Sequence, residues 1–263
     1  MAQDITRRQA VKAIGAAAAV IAAGGVDALA SGTGTTPSTG TGTATPSSTA
    51  TPSGKKSARN MKVLLINGSP RSRGNTNRLL EEVAAQLGRS GIDSEIVQIG
   101  TRPVRGCIAC GKCTEGRCVF ADDICNSVID KMASADALVV GSPVYYGIPA
   151  GQVLSLIQRM AYAGGSVLRG KPAAAVTVCR RGGGTSAFQT LQMPFQMLSM
   201  PIVTSQYWNI GYGAAPGEVA DDAEGLQTMR TLADNLAYML KQFATGEAAV
   251  PERERGVHTN FIR

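Results

Sequence analysis

Between residues 62 and 243 the sequence switches repeatedly between short apolar runs and stretches whose apolar residues recur every three or four positions. A short apolar run bounded by turn signals reads as a strand buried on both faces, and a 3.6-residue period reads as a helix with one buried stripe. Lys62-Val63-Leu64-Leu65-Ile66-Asn67 is the first run and ends in a Gly-Ser-Pro turn. Leu79, Leu80, Val83, Ala84 and Leu87 then repeat at helical spacing, Asn75-Thr76 can cap that helix, and Gly88 or Gly91 can stop it. Further strands are predicted at 95–99, 137–140, 173–178 and near 202–205. Helices are predicted at about 123–132, 152–160, 185–200 and 222–243. Five strands alternating with helices predict an α/β fold, a doubly wound parallel sheet in three layers. Ligands of such sheets bind at the carboxyl ends of the strands, where the strand order reverses.

The segments outside this alternation read differently. Arg7 and Arg8 precede an Ala-rich apolar stretch, 13–23, and Ala28-Leu29-Ala30 offers small residues for cleavage before Ser31. The stretch is shorter than the roughly 20 apolar residues of a stable bilayer span. Thr6-Arg7-Arg8-Gln9-Ala10-Val11-Lys12 resembles a twin-arginine export signal, with Ala10 where such signals usually carry Phe. The resemblance implies a signal peptide over 1–30 and export of folded protein, to the periplasm or beyond. Residues 31–58 are Ser, Thr, Gly and Pro-rich, without apolar period, and read as a flexible linker. The globular domain is expected over 59–245 with a cysteine-rich insertion at 105–125, followed by a tail, 246–263.

Composition removes several kinds of chemistry. His258 is the single histidine, which excludes a multi-histidine metal site and argues against Ser–His–Asp or Cys–His catalysis. A net charge of +7 with no basic run gives no case for nucleic acid.

Three loops follow strand ends. Gly68-Ser69-Pro70-Arg71-Ser72-Arg73-Gly74-Asn75-Thr76 leads into a helix N-terminus, where exposed N–H groups and the helix dipole favour an anion. Ser69 and Thr76 offer hydroxyls, Asn75 an amide and Arg71 a charge, around the tight turn of Gly74. There is no Gly-Lys-Ser/Thr ending and no Gly-x-Gly-x-x-Gly, so a tethered monophosphate suits the loop better than a nucleotide triphosphate or a dinucleotide. Ser142, Pro143, Val144, Tyr145, Tyr146 and Gly147 follow the third strand, and Arg180, Arg181, Gly182 and Gly183 follow the fourth.

The first of these loops resembles the FMN-phosphate loop of the flavodoxin-like NAD(P)H-dependent flavin reductases. The second resembles that family's Ser-Pro-x-Tyr loop, which lies along the isoalloxazine ring. In related proteins the third loop also borders the flavin. The resemblance covers about 61–242 and implies a flavodoxin-like five-stranded sheet, FMN as cofactor and NAD(P)H as donor.

Cys107, Cys110, Cys113 and Cys118 place four thiols within twelve residues, with Cys125 seven further on. A compact loop of thiolates suits an iron–sulfur cluster. Disulfides would also satisfy these thiols outside the cytoplasm, and zinc accepts four thiolates, though usually as two separated pairs. The segment resembles the iron–sulfur flavoprotein family, which implies a [4Fe–4S] cluster on Cys107, Cys110, Cys113 and Cys118. Cys125 is either a reserve ligand or a buried thiol at a helix start, and Cys179 is expected to be structural.

The expected activity is oxidoreduction carried by the flavin, with no side chain acting as general acid or base. An exported enzyme would find little NAD(P)H, so a quinone or redox protein is the expected partner. The competing readings are a non-catalytic electron carrier and a cofactor-free domain held by disulfides. A homodimer or larger assembly is implied by family resemblance.

Overall fold

The computed structural model describes residues 60–246 and 249–251. The chain divides into two units, Met1–Gly54 and Lys55–Arg263. The expected signal peptide, 1–30, and the expected linker, 31–58, lie outside the described residues, as does most of the C-terminal tail.

Five strands form a parallel sheet: β1 (Lys62–Asn67), β2 (Asp93–Gln98), β3 (Ala137–Tyr145), β5 (Ala173–Cys179) and β6 (Ile210–Tyr212), in the order β2-β1-β3-β5-β6. A two-residue strand, β4 (Ile148–Pro149), pairs antiparallel with the end of β3. The order reverses between β1 and β3, so the ligand crevice is expected over their carboxyl ends. This is the flavodoxin-like arrangement.

Alternate residues of each strand point to opposite faces, and each face has its own core. Val63, Leu65, Val139 and Val176 pack with α1 (Asn75–Arg89) and α5 (Ala223–Ala244). Leu64, Ile66, Leu138 and Ala175 pack with α2 (Cys125–Ser134), α3 (Gly151–Leu168) and α4 (Gly184–Met197). The result is three layers, as the alternation predicts.

Two strands differ from expectation. β3 continues past Val140, because Gly141, Ser142 and Pro143 stay paired with Val176, Thr177 and Val178 of β5. On its other side, pairing with β1 ends at Gly141. Beyond that point β3 has an open edge, where a proline costs no ladder bond.

The fifth strand is not at 202–205. Ile202 makes an isolated parallel bridge to Ala173, and the chain then leaves the sheet. It returns as Ile210 opposite Thr177, four residues later than unbroken pairing would allow. Buried Asn209 fills the gap, its Nδ2 donating to the Ala175 carbonyl at 3.0 Å. The apolar run at 202–203 therefore marks only the first contact of an interrupted strand. The helix predicted at 152–160 also runs further, to Leu168, with a kink at Gly164.

Candidate functional site

The loop after β1 is fixed from below. Ser69 N–H donates to Asn67 Oδ1 at 3.1 Å, and Gln98 Nε2 donates to the Ser69 carbonyl at 2.5 Å. Gly68 is pressed against β3 and α3: a Cβ there would lie 2.7 Å from the Gly141 carbonyl oxygen and 2.8 Å from Val153. Ser69 Oγ accepts from the Arg71 N–H at 3.1 Å, which leaves its own proton free to donate outward.

Gly74, not Asn75 or Thr76, is the N-cap of α1, and no side chain caps the helix. The first intrahelical bond runs from Arg78 N–H to the Gly74 carbonyl, so the N–H groups of Asn75, Thr76 and Asn77 face out of the helix end. Thr76 is buried below this opening. The Asn75 side chain is committed elsewhere. It donates to the Ala215 carbonyl at 2.9 Å and accepts from Gly217 N–H at 2.8 Å, tying the loop after β6 to α1.

These groups open into a cleft of about 240 Å³ at the switch point. Ser69, Arg71, Gly74, Asn75 and Thr76 line one part of it, and Pro143, Val144 and Tyr145 line another. Arg180, Val178 and Cys179 come from the end of β5, and Gly213, Ala214 and Pro216 from the loop after β6. Two arginines and no carboxylate line the cleft, an electropositive setting for a phosphate. Glu218 uses the Ala214 and Ala215 N–H groups, and those bonds hold its carboxyl below the usual range.

The remaining expected residues surround the cleft without lining it. Ser142 is buried and structural: its hydroxyl donates to the Pro143 carbonyl and accepts from Ala150 N–H. Tyr146 and Gly147 form the two-residue turn between β3 and β4, both with positive φ, 51° and 82°. Such a turn matches the twist of a hairpin but strains a tyrosine, and the Tyr146 side chain is fully exposed. Gly183, at φ 82°, lies against this hairpin, where a Cβ would meet the Gly147 Cα at 2.7 Å. Arg181 and Gly182 are exposed beside it.

The cysteine segment follows β2 and lies along α3. Cys107, Cys110, Cys113 and Cys118 line one cavity of about 200 Å³ with Phe120, Arg159 and Tyr162. The four residues between Cys113 and Cys118 form a reversal in which Thr114 and Arg117 exchange backbone hydrogen bonds at 3.2 and 2.8 Å. Glu115 and Gly116 at its tip have positive φ. That reversal is the reason for the x4 spacing, since it returns the chain so that the two thiols stand side by side. Burial, and then the neighbouring Cys118, Cys110 and Cys107 thiols, push the Cys113 thiol up from its ordinary pKa.

Cys118 is the fixed post of the segment. Asn126 accepts from its N–H and donates to its carbonyl, both at 2.9 Å, and Arg159 Nε donates to its sulfur at 3.3 Å. Cys125 starts α2 and is buried, and burial pushes its thiol up to about 11. It does not line the cavity. Among the described residues all six cysteines are free thiols, and no three Cys, His, Asp or Glu side chains gather around a single-ion site. A cluster spreads its ligands over several irons rather than around one point. Four thiols lining one largely apolar cavity, with Arg159 Nε–H donating to the Cys118 sulfur and Ala109 N–H donating to the Cys107 sulfur at 3.5 Å, fit such a group.

Residues 61–215 match the family described as NADPH-dependent FMN reductase. The chain belongs to this family. Its relatives include an iron–sulfur flavoprotein of Methanocaldococcus jannaschii, 36% identical over 69% of this chain and 98% of that protein. An iron–sulfur flavoprotein of Archaeoglobus fulgidus is 36% identical over 56% of this chain and 78% of that protein. Among solved structures, RosB with bound 8-demethyl-8-formylriboflavin-5'-phosphate shares the fold at 16% identity and TM-score 0.54, over 77% of this chain and 94% of that one. As an FMN reductase family member the chain is a flavin oxidoreductase.

For this FMN reductase relative, two sets of site residues escaped the sequence reading. The loop after β6 was hidden by the misplaced fifth strand, although its Gly211-Tyr-Gly-Ala-Ala-Pro-Gly217 stretch signals a rim loop. Arg159 was hidden in a helix. Its signal was a single arginine within the apolar stripe of Leu156, Met160 and Ala163. Cys179, read as structural, reaches the cleft wall.

Proposed function

We propose that the chain is an FMN-dependent oxidoreductase whose four cysteines Cys107, Cys110, Cys113 and Cys118 hold a [4Fe–4S] cluster. The observation that carries the flavin part is the convergence of Ser69, Thr76, Arg71 and Arg180 on an acid-free cleft at the open helix end. The observation that carries the cluster part is the shared cavity of the four thiols. Bound FMN supplies acceptance of a hydride or electron pair and release of single electrons, and a cluster supplies one-electron transfer.

The residues divide the work. Ser69, Thr76 and the outward N–H groups of α1 bind the phosphate, and Arg71 and Arg180 balance its charge. Pro143, Val144 and Tyr145 would offer the flavin ring its wall of the cleft. Phe120 and Tyr162 give the thiols apolar walls. NADPH is the donor that the family description suggests, and the export-type N-terminus favours a quinone or redox protein outside the cytoplasm.

Anaerobic purification with flavin, iron and sulfide assayed on one sample tests the reading. One FMN with about four irons per chain is expected. FMN without iron or sulfide would leave a plain flavin reductase. Steady-state oxidation of NAD(P)H separates an enzyme from a carrier, a background rate favouring the carrier. We also propose export by the twin-arginine route. Arg7→Lys with Arg8→Lys should leave precursor in the cytoplasm, and normal appearance of cleaved protein outside would overturn it.

A further inference from the structure

Arg159 leads the fully buried side chains among the described residues, with 1% of its surface exposed. A guanidinium so placed is stable only when its charge is paired and its donors are used. Nη1 donates to the Asp123 carboxylate and to the Arg105 carbonyl at 3.2 Å, and Nη2 donates to the Phe120 carbonyl at 2.9 Å. The Phe120 ring lies 5.8 Å from the guanidinium carbon on one side and 4.7 Å from that of Arg105. These contacts explain how Arg159 holds the cysteine segment to α3. They do not explain Nε–H, which is given to the sulfur of Cys118 at 3.3 Å.

A neutral thiol is a weak acceptor and a poor partner for a buried guanidinium N–H. A sulfur that carries negative charge is a strong one. Arg159 is also the one charged side chain lining the cysteine cavity, whose other walls are the thiols, small residues, Ile108, Phe120 and Tyr162. Its charge is partly balanced from behind by Asp123, whose carboxylate also accepts from the Arg105 N–H at 3.0 Å and the Cys125 N–H at 3.0 Å. The pair thus presents its positive end to Cys118 and its negative end to the loop backbone.

We infer that Arg159 is a positioning residue for the iron–sulfur group: its Nε–H fixes the Cys118 sulfur as fourth ligand and stabilises the negative charge that reduction adds there, while Asp123 limits the size of that effect. The inference rests on the cluster reading given above. One electron enters on reduction, and no bond to Arg159 forms or breaks. Hydrogen bonds to cluster sulfurs and net charge nearby are among the factors that set cluster potentials, which gives each partner a sign. Loss of the Arg159 donor should make the cluster harder to reduce. Loss of the Asp123 charge should make it easier.

The test is a dithionite redox titration of anaerobically purified, FMN-loaded protein, following the iron signal and the flavin absorbance separately. Arg159→Gln should shift the iron potential to more negative values, and Asp123→Asn should shift it to more positive values. The flavin potential should stay in place in both. A wild-type cluster whose potential is the same in both variants, or moves in the same direction in both, would overturn the inference and leave the cluster reading intact. A wild type with FMN but neither iron nor sulfide would overturn the cluster reading and this inference with it. Should Arg159→Gln fail to retain FMN, Asp123→Asn decides alone: a positive shift supports the inference and an unchanged or negative one overturns it.

Discussion

The side-chain amide of Asn75, the first residue of α1, donates to the carbonyl of Ala215 at 2.9 Å, joining positions 140 residues apart. That bond, with the one Asn75 accepts from Gly217, makes the two halves of the cleft rim one object. Asn75, which also lines the cleft, therefore braces the rim.

This gives different expectations for neighbouring residues. Ser69→Ala and Thr76→Val each remove a hydroxyl from the anion site. A lost hydrogen bond to a charged group costs about 1.5–3 kcal/mol, which corresponds to roughly ten- to a hundredfold in FMN affinity. Asn75→Ala should weaken FMN less and should raise proteolytic nicking or hydrogen exchange at 213–217. Fluorescence titration of apoprotein with FMN checks the first pair. Retention of full affinity in both hydroxyl variants would remove the phosphate assignment.

The cysteines separate by environment. Cys118→Ser should lose most of the iron, because it alters the one thiol held both at its backbone and at its sulfur. Cys125→Ser should keep it, since that thiol is buried at the start of α2, outside the cavity. Iron and sulfide assays on anaerobic preparations decide, and equal iron loss in the two variants would contradict the ligand set.

Acid should loosen the cysteine segment through Asp123. Burial raises this carboxyl, but the hydrogen bond from Arg159 and the N–H groups of Cys125 and Arg105 outweigh it, so its pKa lies below the ordinary value. A depressed folded-state pKa contributes stability above the unfolded value and loses it as pH falls through the folded one. The stability gap between wild type and Asp123→Asn should therefore be full at neutral pH and shrink only below the ordinary aspartate range. Urea unfolding at a series of pH values measures it. A gap that does not change with pH would show that Asp123 acts only as a hydrogen-bond acceptor.

The hairpin beside the cleft exposes Tyr145, Tyr146 and Ile148 together. A patch of this kind suits a second copy of the chain across a twofold axis. A dimer or larger assembly is expected by sedimentation at micromolar concentration, weakened at least tenfold by Tyr146→Asp. A monomeric wild type with FMN bound would sink this expectation.

Much of this was legible in the residues because the signals were local. The apolar run 62–67 and the period Leu79–Leu87 determine their own elements. Gly68 to Thr76 announces a helix end open to an anion. What was not legible depended on partners distant in sequence. Pro143 reads as a loop residue until the pairing of β3 with β1 is seen to stop two residues earlier, at Gly141, while its pairing with β5 goes on. The apolar run at 202–203 reads as a strand until Asn209 is found completing the sheet in its place. Arg159 carries no local mark except being charged on an apolar stripe, and its partners, Arg105, Cys118, Phe120 and Asp123, lie 36 to 54 residues away.

The division of the cysteine segment into a post and an arm bears on how the chain would take up the cluster proposed above. None of residues 107–117 belongs to either hydrophobic core, whereas Cys118 does. In a zinc finger the metal substitutes for a core, and chelation unfolds the chain. Here both cores close without the arm, so stripping the metal should release a short flap and leave the sheet and its cleft standing. Metal capture then orders only about ten residues against a ligand already in position, and the closure cost of so short a loop is small. A chain built this way would fold first and take the proposed cluster afterwards.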